Sequence, residues 1–182
     1  SIRKWWYLVT LSCKKLMEVL KMEKKILVSY FSCSGVTKNV GHHIASLIDG
    51  DEYEIKPKIP YTAADLNWMD KNSRSTIEMK DASSRPEIAD TCTNMDEYDV
   101  IFVGFPIWWY VAPTIINTFL ESYDFSNKTV IPFCTSGGSG VGKTDSILHQ
   151  SCNDLVNWKP CKLLKSNMSD QDILNWINSL NI

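Results

Sequence analysis

Three hydroxyl side chains and a glycine follow an apolar run of strand length. The run covers 26–31 (ILVSYF), and after it come Ser32, Ser34, Gly35, Val36 and Thr37. Hydroxyl groups, a glycine that permits close backbone approach and the first N–H groups of a helix can bind a phosphate without a basic side chain. Serine and threonine are also ordinary helix N-cap residues. Because three hydroxyl groups surround one glycine here, we predict an anion site.

Three consecutive aromatic residues follow another apolar run, Val100 to Phe105. The segment after that run consists of Pro106, Ile107, Trp108, Trp109 and Tyr110. Neighbouring side chains in an extended segment point to opposite sides, so the three aromatic rings cannot all face one core. We expect at least one of them to be exposed, where it could stack on a planar aromatic ligand. Core filling and a protein interface are the alternatives.

A third segment holds four of the eight glycines and begins with Thr135, Ser136, Gly137 and Gly138. From Gly137 to Thr144 it matches the P-loop expression GxxxxGK[ST] letter for letter. A P-loop NTPase also needs an aspartate that holds magnesium at the end of another strand, and the 38 residues after Thr144 supply none. We therefore favour glycines that let the backbone approach the edge of a flat ligand. P-loop nucleotide binding is the less favoured alternative.

The elements that must position these three segments alternate between strands and helices. Long apolar runs are typical of buried parallel strands, whereas the alternation in 51–55 indicates an edge strand. The run 129–134 is also predicted as a strand, although Pro132 within it lacks an N–H donor for the sheet. The alternation predicts an α/β fold, a parallel sheet with helices on both faces. The predicted strands are 26–31, 51–55, 100–105, 129–134 and 161–164, and helices are predicted after residue 35, from Pro113, around 147–156 and from Ser169.

The stretch between Pro57 and Met95 interrupts this alternation. We predict a helix opened by Thr62 and Asp65, followed by a polar coil at 81–87. Connections of that length are usually functional or disordered.

The length and net charge of the chain exclude some classes of protein. A chain of 182 residues is long enough for one domain with a substantial core, and its net charge of −2 excludes the basic surface of a nucleic-acid binder. Residues 1–22 carry five basic and one acidic side chain, which leaves 14 basic and 20 acidic side chains in 23–182. We predict that 1–22 is a basic extension, from upstream or added sequence, and that 23–182 is the domain. The apolar stretch 5–11 is too short to span a membrane.

The six cysteines form no CxxC pair and no zinc-type spacing with histidine. We expect free thiols in a reducing cytoplasm and no metal site. The cysteines stand at positions 13, 33, 92, 134, 152 and 161.

In doubly wound sheets, ligands bind at the carboxyl ends of the strands, which is where all three segments lie. One kind of ligand would bind to all three segments together: a molecule with a phosphate at one end, a polar chain and a large planar heterocycle at the other. FMN is such a molecule. The chain also resembles the flavodoxin family over about residues 24–182, and it is similar to the bacterial group with a PIWW segment. The hydroxyl-x-hydroxyl-Gly-x-Thr pattern falls on Ser32, Ser34, Gly35 and Thr37.

The resemblance implies a three-layer αβα sandwich around a five-stranded parallel sheet in the order 2-1-3-4-5. It implies that 32–37 wraps the phosphate of FMN and that 106–110 flanks the isoalloxazine ring. It further implies that 135–138 approaches the pyrimidine side of the ring. Flavodoxins commonly have a glycine or another small residue in the second loop, where Trp109, Tyr110 and Val111 stand here. We therefore expect weak stabilisation of one-electron reduced flavin, because a β-branched residue resists positive φ.

The leading hypothesis is an FMN-binding protein that transfers electrons between redox partner proteins. The alternative is an FMN-dependent NAD(P)H oxidoreductase that acts on a quinone or a similar small-molecule electron acceptor. A non-enzymatic module whose tryptophans contact a partner protein is less favoured. We expect no nucleic-acid partner and no membrane span.

Overall fold

Parallel strands form the centre of the protein, and the computed structural model describes residues 24–182. Numbered in chain order, the strands of the sheet within that range lie in the order 2-1-3-4-5, and a short sixth strand also pairs with the fourth. Every pairing is parallel. The predicted α/β fold and strand order are confirmed. The strands are β1 (Ile26–Tyr30), β2 (Asp51–Glu54), β3 (Val100–Pro106), β4 (Thr129–Thr135), β5 (Asn157–Trp158) and β6 (Lys162–Leu163).

Helices cover both faces of the sheet, which completes the three layers. Successive residues of a strand point to opposite faces, so Leu27 and Val28 of β1 belong to two different cores. Ile115 and Phe119, in the helix Thr114–Glu121, pack on the face of Leu27. The other face is covered by the helices Val36–Ile48 and Asp170–Ser179. The helices are α1 (Val36–Ile48), α2 (Arg74–Lys80), α3 (Thr114–Glu121), α4 (Thr144–His149) and α5 (Asp170–Ser179), and a 3₁₀ turn covers Met95–Glu97.

The fifth strand differs from the prediction because it comes in two pieces. Lys159 donates its N–H to the carbonyl of Val130, and Leu164 donates to the carbonyl of Cys134, both at 2.9 Å or less. Between those two bonds lies Pro132 of β4, which has no N–H to offer. The partner strand is interrupted at this point and itself contains Pro160. Pro132 therefore lies inside the buried strand β4. Its missing N–H interrupts the neighbouring edge strand, which is divided into β5 and β6.

Two predicted helices are wrong in extent. Thr62 and Asp65 form the reciprocal bonds of a capping box, at 2.8 and 3.2 Å, but only isolated turns follow. The helix of this stretch begins later, after Ser73, whose hydroxyl accepts from the N–H of Thr76. The helix predicted around 147–156 ends at His149, so Leu155, expected on its apolar face, is 61% exposed.

The helices predicted from Pro113 and Ser169 are confirmed as α3 and α5. None of the helices in residues 24–182 combines the length and apolar character needed to cross a bilayer. The predicted extension at 1–22 lies outside the described residues.

Candidate functional site

A cavity of 690 Å³ opens at the carboxyl ends of β1, β3 and β4. The three segments singled out in the sequence meet there, together with part of the 57–95 stretch. Eleven predicted site residues line the cavity: Ser34, Thr37, Pro106, Ile107, Trp108, Trp109, Tyr110, Thr135, Ser136, Gly137 and Gly138.

Ser32, Gly35 and Val36 do not line the cavity, but two of them shape the loop that does. The N–H of Gly35 donates to the hydroxyl of Ser32 at 3.1 Å. Gly35 has a φ of +88°, which glycine adopts at no steric cost. Helix α1 then begins without a side-chain cap and without an acidic residue in its first turn. The N–H groups of that turn therefore keep their capacity to bind an anion.

Two buried threonine hydroxyls link the first and third loops. Thr37 Oγ1 and Thr135 Oγ1 lie 2.8 Å apart, and both residues line the cavity. This bond holds the start of α1 against the end of β4. The polar wall between the two loops is thereby fixed before any ligand arrives.

The second loop is a two-residue turn at Trp109 and Tyr110. Trp108 and Val111 exchange both backbone hydrogen bonds, at 2.9 and 3.1 Å, and the two residues between them have φ values of +48° and +66°. These are the backbone features of a type I′ turn, whose preferred residues are asparagine, aspartate and glycine. Val111, the β-branched residue of this loop, is not among the residues with positive φ, and the two aromatic residues before it are. The weak stabilisation of one-electron reduced flavin stays a prediction. The turn places two aromatic residues in a conformation that L-residues avoid.

The aromatic side chains of this loop divide between core and solvent. The Trp108 ring packs edge-on against Phe31 and Tyr61, at centroid distances of 5.8 and 5.5 Å. Trp109 and Tyr110 are 43% and 62% exposed. The expectation that at least one of the three is exposed is confirmed.

The third loop leaves open space where the cavity needs it. A Cβ added to Gly137 or Gly138 would meet nothing within 4 Å. The hydroxyl of Ser136 accepts from the N–H of Gly138 at 3.0 Å, which folds the loop at its start. A flat ligand edge can therefore approach the backbone here.

The P-loop spelling has a structural explanation that involves no nucleotide. Gly142 has a φ of +52°, and a Cβ there would lie 2.3 Å from the carbonyl oxygen of Tyr110. Thr144, the residue that would reach a metal in a P-loop, is fully buried and does not line the cavity. Gly142 thus serves the contact between the second and third loops.

No side chain that lines the cavity within residues 24–182 is Asp, Glu, Lys, Arg or His. The cavity also contains the thiol of Cys33. Desolvation raises the pKa of this thiol to about 12, while Arg74 opposes that shift and Glu78 adds to it. The site is polar through neutral hydroxyl and N–H groups, and Cys33 stays protonated at neutral pH.

The 57–95 stretch supplies residues that the sequence did not identify. Leu66, Trp68 and Ser75 line the cavity, as do Cys33 and Ser139. Trp68 is 70% exposed. A tryptophan in a long polar connection was the one signal available, because no periodic pattern places these residues near the sheet.

The comparisons with known proteins agree with this geometry. A family model described as Flavodoxin matches residues 25–180, and this chain belongs to that family. A protein provisionally described as a flavoprotein from Bacteroides eggerthii DSM 20697 is 42% identical, with a TM-score of 0.83 over 88% of this chain and 99% of the other. A second, from Bacteroides uniformis ATCC 8492, is 46% identical, with a TM-score of 0.80 over 85% and 98%.

A flavoprotein from Lactobacillus acidophilus NCFM, crystallised in complex with FMN, is 26% identical, with a TM-score of 0.63 over 85% of this chain and 99% of the other. No curated protein sequence matches this chain significantly.

Proposed function

We propose that this chain binds FMN in the cavity at the carboxyl ends of β1, β3 and β4 and acts in electron transfer. The observation that carries the proposal is the convergence of three different loops on one cavity. One loop offers hydroxyl and N–H groups, one offers aromatic rings, and one offers open glycines. The flavoprotein from Lactobacillus acidophilus that was crystallised with FMN supports the same ligand.

The residues of the cavity fit FMN along its length. Ser34, Thr37 and the uncapped start of α1 are suited to the phosphate, because helix N-termini bind anions without a basic side chain. Trp108, Trp109 and Tyr110 are suited to the isoalloxazine ring. Gly137 and Gly138 leave room for its polar edge, where backbone groups can form hydrogen bonds. When bound, the flavin supplies the redox chemistry, and the protein holds and orients it.

The visible spectrum of the purified full-length protein tests FMN binding directly. We expect the two absorption bands of bound flavin, and stoichiometric quenching of FMN fluorescence when the flavin-free protein is titrated. A colourless protein that takes up no FMN at micromolar concentration would contradict the proposal and favour a partner-binding module. Anaerobic titration with dithionite then tests one-electron transfer. A spectrum that passes directly to the fully reduced form argues against a one-electron carrier.

A second candidate function is an FMN-dependent oxidoreductase that takes electrons from NAD(P)H. The observation in its favour is the wall that Leu66 and Trp68 add to the cavity, with Trp68 largely exposed. Such a ring could contact a small planar acceptor beside the flavin. Bleaching of the flavin by NADH or NADPH under anaerobic conditions would support this candidate, and absence of bleaching by either would remove it.

A further inference from the structure

Ser75 lines the cavity, and its hydroxyl is buried without a hydrogen-bond partner among the described residues. Ser75 is 2% exposed, and within residues 24–182 its Oγ forms no hydrogen bond. Its backbone N–H is satisfied, because it donates to the carbonyl of Asp65 at 2.9 Å. A buried hydroxyl without a partner is unfavourable, so such a group in a cavity points to a ligand atom.

The segment that contains Ser75 is held in place by contacts of its neighbour Arg74. The Arg74 guanidinium donates to Glu78 and to the carbonyl of Ile59, both at 2.7 Å. It also lies over the Tyr61 ring, 3.9 Å from the centroid. Tyr61 in turn packs against Trp108 of the second loop. A chain of contacts therefore ties α2 to the strand ends.

Ser75 lines the same cavity as Cys33 and Ser34 of the first loop. No cationic side chain lines the cavity within the described residues. A phosphate dianion bound there needs neutral donors, and hydrogen bonds to charged oxygens are among the stronger ones.

We propose that Ser75 Oγ donates a hydrogen bond to the phosphate of the flavin, an inference that rests on the proposed FMN site. The long stretch between β2 and β3 is then part of the cofactor site. FMN and riboflavin differ by the phosphate alone, so the pair isolates this contact. Ser75→Ala should weaken FMN binding about ten-fold or more and leave riboflavin binding within about two-fold of wild type.

A second readout separates ligand binding from a structural role. In the flavin-free protein, Ser75→Ala removes an unsatisfied buried hydroxyl and should raise the midpoint of urea unfolding. Ile77→Ala is the matched control on α2, since Ile77 is 56% exposed and lines no part of the cavity. It should change the affinity for neither flavin. The phosphorus NMR shift of bound FMN should change in Ser75→Ala and not in Ile77→Ala.

Each other outcome overturns the inference. Equal losses for FMN and riboflavin would place Ser75 at another part of the flavin. Unchanged FMN affinity, or a lower unfolding midpoint of the flavin-free variant, would give the hydroxyl no role at the phosphate. If the wild-type protein binds neither flavin, the proposed function fails and this inference fails with it. If wild type binds FMN and Ser75→Ala binds it equally well, this inference alone fails.

Discussion

A Cβ on Gly142 would lie 2.3 Å from the carbonyl oxygen of Tyr110, so the third loop contacts the second where only glycine fits. The positive φ of Gly142 adds to this requirement. The two loops that would contact the flavin ring are therefore positioned by each other. The turn at Tyr110 depends on a residue 32 positions away in the sequence.

Gly142→Ala should lower the free energy of unfolding by at least about 2 kcal/mol, because it combines a left-handed backbone with a clash against backbone atoms. It should also weaken FMN binding, since the turn at 109–110 must shift. Urea unfolding and flavin titration measure the two effects. Gly140→Ala is the control, because a Cβ there would meet nothing within 4 Å. Equal stability of the two variants would contradict the prediction.

Tyr110→Asn should stabilise the flavin-free protein. Tyr110 has a φ of +66° and is 62% exposed, so it is strained and loses little packing when replaced. Asparagine tolerates this conformation, and the expected gain in the free energy of unfolding is about 0.5–1 kcal/mol. Urea denaturation measures the gain. Tyr110→Phe keeps the strain and should leave stability unchanged, and a loss of stability in Tyr110→Asn would show that the turn is not strained there.

Thr37→Val should destabilise the flavin-free protein by about 1–3 kcal/mol, because it leaves the buried hydroxyl of Thr135 without its partner. Thr135→Val should do the same to Thr37. The double variant should cost less than the sum of the two single changes, since neither hydroxyl is then orphaned. A double-mutant cycle from urea unfolding measures this coupling. Strict additivity would mean that the two hydroxyls do not depend on each other.

Cys33 should react slowly with iodoacetamide at pH 8. The Cys33 side chain is exposed to solvent, so access does not limit its reaction. Its pKa is raised, first by desolvation and further by Glu78, so the reactive thiolate is scarce at that pH. Labelling of the folded protein, followed by mass spectrometry of the Cys33 peptide, should be at least about ten-fold slower than in urea and should accelerate as the pH rises.

The raised pKa of Cys33 also makes the stability of the folded protein depend on pH. A thiol whose pKa is raised on folding favours the folded state below its unfolded pKa of about 8.5, and this contribution is lost as the pH increases above it. Labelling at pH 8 that is as fast in the folded protein as in urea would contradict the raised pKa.

The central strands of the sheet could be predicted from the sequence, because they are long apolar runs separated by periodic segments. The edge formed by β5 and β6 could not, since strands of two residues have no recognisable pattern. The capping box at Thr62 and Asp65 formed as predicted but opened no helix. Leu66, Trp68 and Met69 give no helical apolar stripe that the core could bury, and a capped turn alone does not propagate a helix.

The candidate site also contains residues that could be predicted from the sequence and residues that could not. The three strand-end loops were recognisable because parallel strands bring their carboxyl ends together. Ser75 and Trp68 were not, because they stand in a connection whose path is fixed by tertiary contacts such as Arg74 on Tyr61. The turn at Trp109 and Tyr110 was missed for a different reason. Its residues are those that a type I′ turn disfavours, and contact with Gly142 helps to hold them there.

The edge strand beside Pro132 is divided into β5 and β6, so it offers few backbone groups for pairing with a strand of another molecule. Exposed strand edges invite association with other chains, and short pieces, prolines and charged residues discourage it. In residues 24–182, one edge of the sheet consists of β5 and β6, with two residues each and Pro160 between them. The other edge is β2, which carries Asp51, Glu52 and Glu54. Both margins of the sheet are thus built to resist edge-to-edge aggregation with further copies of the protein.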